Sequence, residues 1–216
     1  MKIAPSILSC DFANMGRDVK AITDGGADMV HLDVMDGNFV PNISFGPAVI
    51  KSIRGYTDLP FDVHLMIEQP HRYIDEFAKA GADIITFHVE AEDDIAGTIK
   101  KINDKGIKAG LTLKPKTPIE KVLPYIDSLY MVLIMTVEPG FGGQSFMYDM
   151  MNKVQIVKDE ARKKNIDLLI EVDGGINFDT ISVASKSGAD ICVAGTSVFN
   201  KGSICDNISR LKANAL

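Results

Sequence analysis

Apolar residues fall into eight short runs along the chain, and stretches with helical spacing lie between most of them. Short runs that are apolar at successive positions are typical of strands buried on both faces, as in parallel sheets. The runs cover residues 3–8, 29–35, 61–66, 84–89, 108–113, 131–137, 168–172 and 191–194. The stretches with helical spacing cover residues 12–23, 70–79, 95–105, 150–163, 180–186 and 203–211. The pattern therefore predicts strands and helices in alternation.

A short fragment recurs between a helical stretch and the next apolar run. It reads GGAD at 25–28, AGAD at 80–83 and SGAD at 187–190. Its glycine suits the left-handed cap that ends a helix, so the three fragments indicate equivalent turns. Eight units of about 27 residues favour a (β/α)8 TIM barrel over an open doubly wound sheet, which usually has fewer strands. We predict a single α/β domain of this kind over residues 1–216.

Composition and charge narrow the classes of function. An apolar content of 46% supports a large core, whereas a net charge of −6 argues against a surface for nucleic acid or anionic membrane. The longest apolar run is too short to span a bilayer, and the first residues lack the pattern of a secretory signal. The three cysteines are far apart and suit a reducing compartment. We expect a cytoplasmic protein without nucleic-acid or membrane partners.

Polar side chains end several of the predicted strands. His31 and Asp33 share one face of a strand in the segment HLDVMDGNFVPN, and His64 and Asp173 lie at the ends of two others. In a barrel such strand ends meet at one rim. Two imidazoles and two carboxylates are suitable ligands for a divalent ion such as Zn²⁺, Fe²⁺, Mn²⁺ or Co²⁺. A satisfied polar group explains each residue alone, but four at matching positions favour a site.

Glycine-rich segments form a second candidate site near the last three strands. They read EPGFGGQSF at 138–146, DGGIN at 173–177 and AGTS at 194–197. Exposed backbone N–H groups at this end of a barrel suit a phosphate group, although ordinary tight turns explain any single glycine pair. Met35, Met66 and Met135 end three strands and could line a water-poor cavity, with core packing as the default explanation.

The motifs together, in order and spacing, resemble those of the ribulose-phosphate 3-epimerase family. The resemblance is carried by PSILSCDF, HLDVMDGNFVPNISFGP, FDVHLMIEQP, GLTLKPKTP, MTVEPGFGGQSF, EVDGGIN and VAGTSVF, which span essentially the whole chain. It implies one divalent metal ion held by His31, Asp33, His64 and Asp173. It also implies that Asp33 and Asp173 are the catalytic acid/base pair, and that the protein forms a homo-oligomer.

The resemblance also implies contacts with a ketose phosphate substrate. With His64 and the three methionines included, the expected substrate contacts are Ser6, Met35, His64, Met66, Met135, Gly140, Phe141, Gly142, Gly143, Asp173, Gly174, Gly175, Gly195 and Thr196. Thr196 stands where family members often carry serine, and both residues offer a hydroxyl group. The glycine-rich loop 140–144 is a candidate lid.

The expected reaction is the interconversion of D-ribulose 5-phosphate and D-xylulose 5-phosphate. Inverting the carbon next to a carbonyl requires removal of a proton from one face and delivery to the other, through an enediolate whose charge a cation would stabilise. An epimerase for D-allulose 6-phosphate shares most of the pattern and is the first alternative. A decarboxylase would need a DxKxxD run, which DVMD at 33–36 does not match. A Schiff-base aldolase would need a lysine at a strand end, and Lys114, the nearest candidate, is more simply explained as a surface charge in a loop. A non-enzymatic sensor of sugar phosphates would have no need for a metal ion with two carboxylates.

Overall fold

The computed structural model describes residues 1–200 and 202–215, in which eight parallel strands form the wall of a barrel. The strands are β1 (Lys2–Pro5), β2 (Val30–Met35), β3 (Phe61–Met66), β4 (Ile84–His88), β5 (Lys108–Leu113), β6 (Met131–Met135), β7 (Leu169–Asp173) and β8 (Ile191–Ala194). Neighbours pair in the order β1-β8-β7-β6-β5-β4-β3-β2. A single parallel bridge between Ser6 and His31 joins β1 to β2, so the wall is nearly closed. The predicted (β/α)8 TIM barrel is confirmed.

Helices cover the outer face of the strands. They are α1 (Met15–Asp24), α2 (Pro47–Ile53), α3 (Ile74–Ala80), α4 (Ile95–Asn103), α5 (Met151–Lys164), α6 (Thr180–Ser187), α7 (Thr196–Phe199) and α8 (Ile204–Asn214). The spacing of apolar residues predicted no helix at α2, because seven residues are too few for a clear period. Within the described part of the chain, none of these helices has the length and apolar character that a bilayer crossing requires.

The connection from β5 to β6 departs from the alternation of strands with α-helices. It consists of two 3₁₀ helices, Ile119–Lys121 and Leu123–Ser128. Pro118 and Pro124 lie at the starts of these turns, and each lacks the backbone N–H that a continuous α-helix would use. The first strand is also shorter than predicted, since it ends at Pro5 and a 3₁₀ helix, Ile7–Ser9, follows.

The recurring GAD fragments have a shared structural role. Each aspartate precedes a strand and accepts a hydrogen bond from a backbone N–H at the start of the preceding strand in the chain. The bonds run from Ile3 N to Asp28 Oδ2 (2.8 Å), from Phe61 N to Asp83 Oδ2 (2.8 Å) and from Ile170 N to Asp190 Oδ2 (2.9 Å). The repeat therefore aligns neighbouring strands at the N-terminal end of the barrel, far from the candidate site residues.

The barrel interior changes character along its axis. At the N-terminal end it is filled by an apolar cluster of Ala4, Met29, Ile84, Met131, Ile191 and Val193. Towards the C-terminal end many of the buried inward side chains are polar, and they include Ser6, His31, Asp33, Asp62, His64, Thr86, His88, Thr112 and Glu171. Burial of so many polar groups is costly unless they are paired or used. The polar half of the barrel therefore positions the candidate site.

Candidate active site

A cavity of about 190 Å³ opens at the C-terminal ends of the strands. Of the expected substrate contacts, those that line it are Ser6, Met35, Met66, Met135, Gly140, Phe141, Gly142, Gly143, Asp173, Gly174, Gly175, Gly195 and Thr196. Asp33 also lines it, whereas His31 and His64 are fully buried in the wall beneath. The structure therefore brings the two candidate sites of the sequence together at one cavity.

The four candidate metal ligands converge at the base of this cavity. One donor atom from each residue lies within 4.8 Å of the other three. Asp33 Oδ1 is 3.4 Å from both His31 Nε2 and His64 Nδ1. Asp173 Oδ2 is 3.9 Å from His31 Nε2 and 3.7 Å from His64 Nδ1. Strands β2, β3 and β7 thus present four donor atoms to one point.

Each of the two histidines is held through the ring nitrogen that faces away from this point. His31 Nδ1 lies 2.6 Å from Asp62 Oδ2, and His64 Nε2 lies 2.9 Å from His88 Nε2. The other nitrogens, His31 Nε2 and His64 Nδ1, are buried and have no hydrogen-bond partner among the residues that the structure describes. Unpartnered buried nitrogens are costly, and here both point towards the shared donor cluster.

Asp33 is oriented in the same way as the histidines. Ser6 Oγ donates a 2.5 Å hydrogen bond to Asp33 Oδ2, which leaves Oδ1 facing the cluster. Ser6 also forms the bridge that joins β1 to β2 beside His31. The hydroxyl of Ser6 therefore connects the closure of the barrel to the orientation of a candidate catalytic carboxylate.

Acidic groups outnumber the imidazoles in this buried volume. Burial and the nearby charge of Asp33 raise the pKa of Asp173 to about 6. Burial and the charge of Asp62 raise the pKa of Glu171 well above its usual range. Burial opposes the charged form of His31, but Asp33 and Asp62 hold its pKa well above the usual value. A divalent cation would balance this excess of negative charge and displace the proton of His31.

The donor set fits one divalent metal ion. Four ligands about 2.1 Å from one ion lie about 3.4 Å apart at tetrahedral angles, close to the observed separations of donor atoms. Nitrogen and carboxylate donors suit Zn²⁺, Fe²⁺, Mn²⁺ and Co²⁺. The contact of Asp62 with His31 Nδ1 is typical of metal sites, where a carboxylate often bonds to the second ring nitrogen of a histidine ligand and orients it.

Close backbone packing shapes the glycine-lined end of the cavity. Gly174 has φ +119°, and a Cβ placed there would lie 2.4 Å from Val137 Cγ2. Gly175 has φ +65°, and a Cβ there would lie 2.5 Å from the backbone nitrogen of Phe146. Only glycine permits these conformations at such short range. The turn after β7 therefore leaves its backbone open to the cavity.

Two side chains fasten the glycine-rich loop 140–144 to its surroundings. Asn42 Nδ2 donates to Gly140 O at 2.7 Å, across a separation of 98 residues. Gln144 Nε2 donates to Glu138 O and Phe141 O at 2.7 and 2.8 Å. Phe141 itself is 54% exposed. The loop thus borders the cavity, and Phe141 lines the cavity while more than half of it stays exposed.

Several residues at the site were missed by sequence reasoning. Asp62 and Glu171 are fully buried, and each lies two positions before a predicted ligand, on the same face of its strand. That spacing was an available signal. Ser9, which lines the cavity, follows β1 in a 3₁₀ helix and carried no such signal.

Two imidazoles and two carboxylates that converge at the strand ends of a (β/α)8 barrel are the arrangement expected of a metal-dependent barrel enzyme. Sequence comparison identifies the particular family. The chain belongs to the ribulose-phosphate 3 epimerase family, whose profile matches residues 2–199.

Individual relatives agree with this assignment. The chain is 49% identical to ribulose-phosphate 3-epimerase of Bacillus subtilis, with 99% of each chain covered. It is 46% identical to ribulose-phosphate 3-epimerase of Schizosaccharomyces pombe, with 100% of this chain and 94% of the relative covered. The predicted family membership is confirmed.

Solved structures with low sequence identity share the fold. The 3-hexulose-6-phosphate synthase of Salmonella typhimurium superposes with a TM-score of 0.72 at 18% identity, covering 100% of this chain and 98% of that chain. Thiamine phosphate pyrophosphorylase of Pyrococcus furiosus superposes with a TM-score of 0.67 at 16% identity, covering 99% and 95%. At these identities the likeness concerns the barrel alone.

Proposed function

We propose that the protein interconverts D-ribulose 5-phosphate and D-xylulose 5-phosphate by inverting C3. The observation that carries this proposal is the convergence of Asp33 and Asp173 on one cavity, where they are two of the four donors suited to a single metal ion. The curated relatives described above bear the name of this activity over nearly the full length of the chain.

Asp33 and Asp173 are the proposed acid/base pair. Epimerisation removes a proton from one face of C3 and delivers another to the opposite face, which one side chain cannot easily do. Asp33 comes from β2 and Asp173 from β7, with β1 and β8 between them in the barrel wall. In one direction one carboxylate accepts the proton and the other carboxyl group donates, and the roles exchange in reverse.

Other residues orient the acid/base pair, exclude water from the cavity or would hold the metal ion. Ser6 holds Asp33 through its 2.5 Å hydrogen bond. Met35, Met66 and Met135 are at most 4% exposed and line the cavity with apolar surface, which lowers the water content around the reacting carbons. The bound metal ion, held by the four ligands proposed above, would act as a Lewis acid that stabilises negative charge on substrate oxygens.

The glycine-lined end of the cavity is the proposed phosphate subsite. It is formed by Gly140, Phe141, Gly142, Gly143, Gly174, Gly175, Gly195 and Thr196. Glycine backbone N–H groups can approach a phosphate closely, and the turns after the last strands are the usual phosphate position in this fold. Binding the phosphate there would leave the ketose end over Asp33 and Asp173.

The carboxylates are tested by the single variants Asp33→Asn and Asp173→Asn. We expect each to lose net epimerisation, measured by conversion of ribulose 5-phosphate. In D₂O, each variant should still exchange the C3 hydrogen of one epimer, because one base remains. Bound metal is measured in the same samples to separate a lost base from a lost ligand. Asp149→Asn, which alters an exposed carboxylate outside the cavity, is the control. Near-normal turnover in either site variant would contradict the assignment.

Substrate choice is tested by supplying ribulose 5-phosphate and allulose 6-phosphate side by side, with a chelator-treated control. Metal-dependent preference for the pentulose is the expected result. Preference for the hexulose would contradict the proposed substrate but would leave the proposed acid/base pair unaffected. Turnover of neither compound would contradict the proposed function.

We also propose that the protein is a cytoplasmic homo-oligomer. Its three cysteines are free thiols, which suits a reducing compartment, and a relative from Oryza sativa is named a cytoplasmic isoform. Light scattering coupled to size exclusion would give the mass, and a mass of 23.5 kDa would contradict the oligomer.

A further inference from the structure

His88 is a buried histidine that the proposed proton transfer does not use. Its Nε2 lies 2.9 Å from Nε2 of His64, and the two ring planes differ by 22°, so the rings meet edge to edge through these nitrogens. The Phe39 ring also packs against it, with 4.8 Å between the ring centroids. The His88 ring is therefore clamped in one orientation against a candidate metal ligand.

The direction of the hydrogen bond between the two histidines decides whether His64 can bind a cation. Two nitrogens at this distance bond only when one donates and the other accepts. If His64 donates from Nε2, its Nδ1 has a free lone pair directed at the donor cluster. If His88 donates, a neutral His64 carries its hydrogen on Nδ1 and offers no lone pair there.

Glu90 favours the first of these arrangements. Its Oε2 lies 3.4 Å from His88 Nδ1, which has no hydrogen-bond partner among the described residues, and the negative charge of a nearby carboxylate favours a hydrogen on that nitrogen. A hydrogen on Nδ1 of a neutral His88 leaves its Nε2 as the acceptor for His64. Glu90 is itself fixed, because its Oε1 accepts the backbone N–H of Lys114 at 2.8 Å.

We propose that His88, oriented by Glu90, is a positioning residue that holds His64 in the Nε2–H tautomer and so presents Nδ1 to the metal ion. The inference rests on the proposed function in one respect, namely that His64 is a metal ligand. The two proposed histidine ligands then differ in their partners, because His31 bonds to the carboxylate of Asp62 and His64 bonds to the imidazole of His88. A carboxylate partner raises ligand basicity, so His64 is the weaker donor of the two.

The tautomer is tested directly by NMR of the Zn²⁺-loaded protein with ¹⁵N-labelled histidine. The chain has only four histidines, so the imidazole signals are few. We expect hydrogens on His64 Nε2 and His88 Nδ1, with the His64 hydrogen coupled to both Nε2 atoms. A hydrogen on Nε2 of His88 instead would overturn the proposal. Because this measurement uses the wild-type protein, it does not depend on the folding of a variant.

Metal affinity is tested with two substitutions at the same position. His88→Phe keeps an aromatic ring but removes the acceptor, and His88→Gln keeps an acceptor oxygen. In competition with a chelator, we expect His88→Phe to bind Zn²⁺ about 10- to 100-fold more weakly than wild type. His88→Gln should restore most of the affinity, and His71→Gln, at an exposed histidine, should not change it. Equal losses in both His88 variants, or none in His88→Phe, would overturn the proposal.

Epimerisation by the wild-type protein, measured alongside, separates the two ideas. A protein that shows the expected tautomers and affinities without epimerising contradicts the proposed function and supports the positioning role. If the wild-type protein epimerises but His88→Phe binds Zn²⁺ as tightly as wild type, only the positioning role is contradicted.

Discussion

A methyl group added at Gly174 is expected to destabilise the barrel much more than the same change at a glycine in open space. At φ +119°, an alanine Cβ would lie 2.4, 2.7 and 2.9 Å from three side-chain atoms of Val137. Ordinary contacts of this kind are about 3.5–4.0 Å. Val137 is 5% exposed, and its β-branched side chain has few alternative rotamers, so it cannot turn away cheaply.

The expected cost has two parts. An unfavourable φ for a non-glycine residue costs about 1–3 kcal/mol, and overpacking of a buried contact costs about 1–3 kcal/mol more. Alanine also lowers the conformational entropy of the unfolded chain, which offsets about 0.4–1 kcal/mol of this cost. The sum, about 1–6 kcal/mol, is a substantial part of the about 5–15 kcal/mol by which most domains are stable.

Gly26→Ala is the matched control. Gly26 has φ +79°, and its added Cβ would meet no atom of the described part of the chain within 4 Å, so only the backbone part, about 1–2 kcal/mol, remains. Urea unfolding followed by circular dichroism gives both free energies of unfolding, compared at equal m-values. A Gly174→Ala variant within about 0.5 kcal/mol of Gly26→Ala would refute the steric argument.

Two further predictions concern the rim of the barrel. Burial opposes the charge of Glu90, but its contacts with His88 and the Lys114 N–H lower its pKa to about 2 from 4.5. A lowered pKa stabilises the fold above pH 4.5, and this contribution is lost as the pH falls towards 2. Glu90→Gln should therefore cost about 1 kcal/mol near pH 6, after allowance for solvent screening, and progressively less in acid; a pH-independent difference in urea unfolding would contradict this. Asn42→Ala removes the hydrogen bond to Gly140, worth about 1 kcal/mol, and should speed amide exchange in residues 140–144 and raise KM about fivefold. Unchanged exchange would show that the loop is held by other contacts.

Much of this site could be read from the chain because it lies at strand ends. Period-two alternation places His31 and Asp33 on one strand face, and a run of βα units brings the ends of all strands to one rim. The glycine-rich segments after β6, β7 and β8 likewise signal turns with open backbone. These features depend on local geometry and on one topological rule, so a single sequence was enough.

Other parts depended on contacts between strands that are distant in the chain. The pairing of Asp62 with His31, and of His88 with His64, follows from the register of β2, β3 and β4, which side-chain spacing within one strand does not determine. Asn42 reaches Gly140 only because two loops meet over the cavity.

The sequence by itself determined the barrel, the four donor residues and the glycine turns, since each is encoded by periodicity or by residue type at a strand end. The tertiary structure alone decided which ring nitrogen of His31 and of His64 faces the shared donor cluster, and which side chain bonds to the opposite nitrogen. The physical reason is that a hydrogen bond between buried side chains needs a separation near 3 Å, and that distance is set by packing and register across the whole barrel.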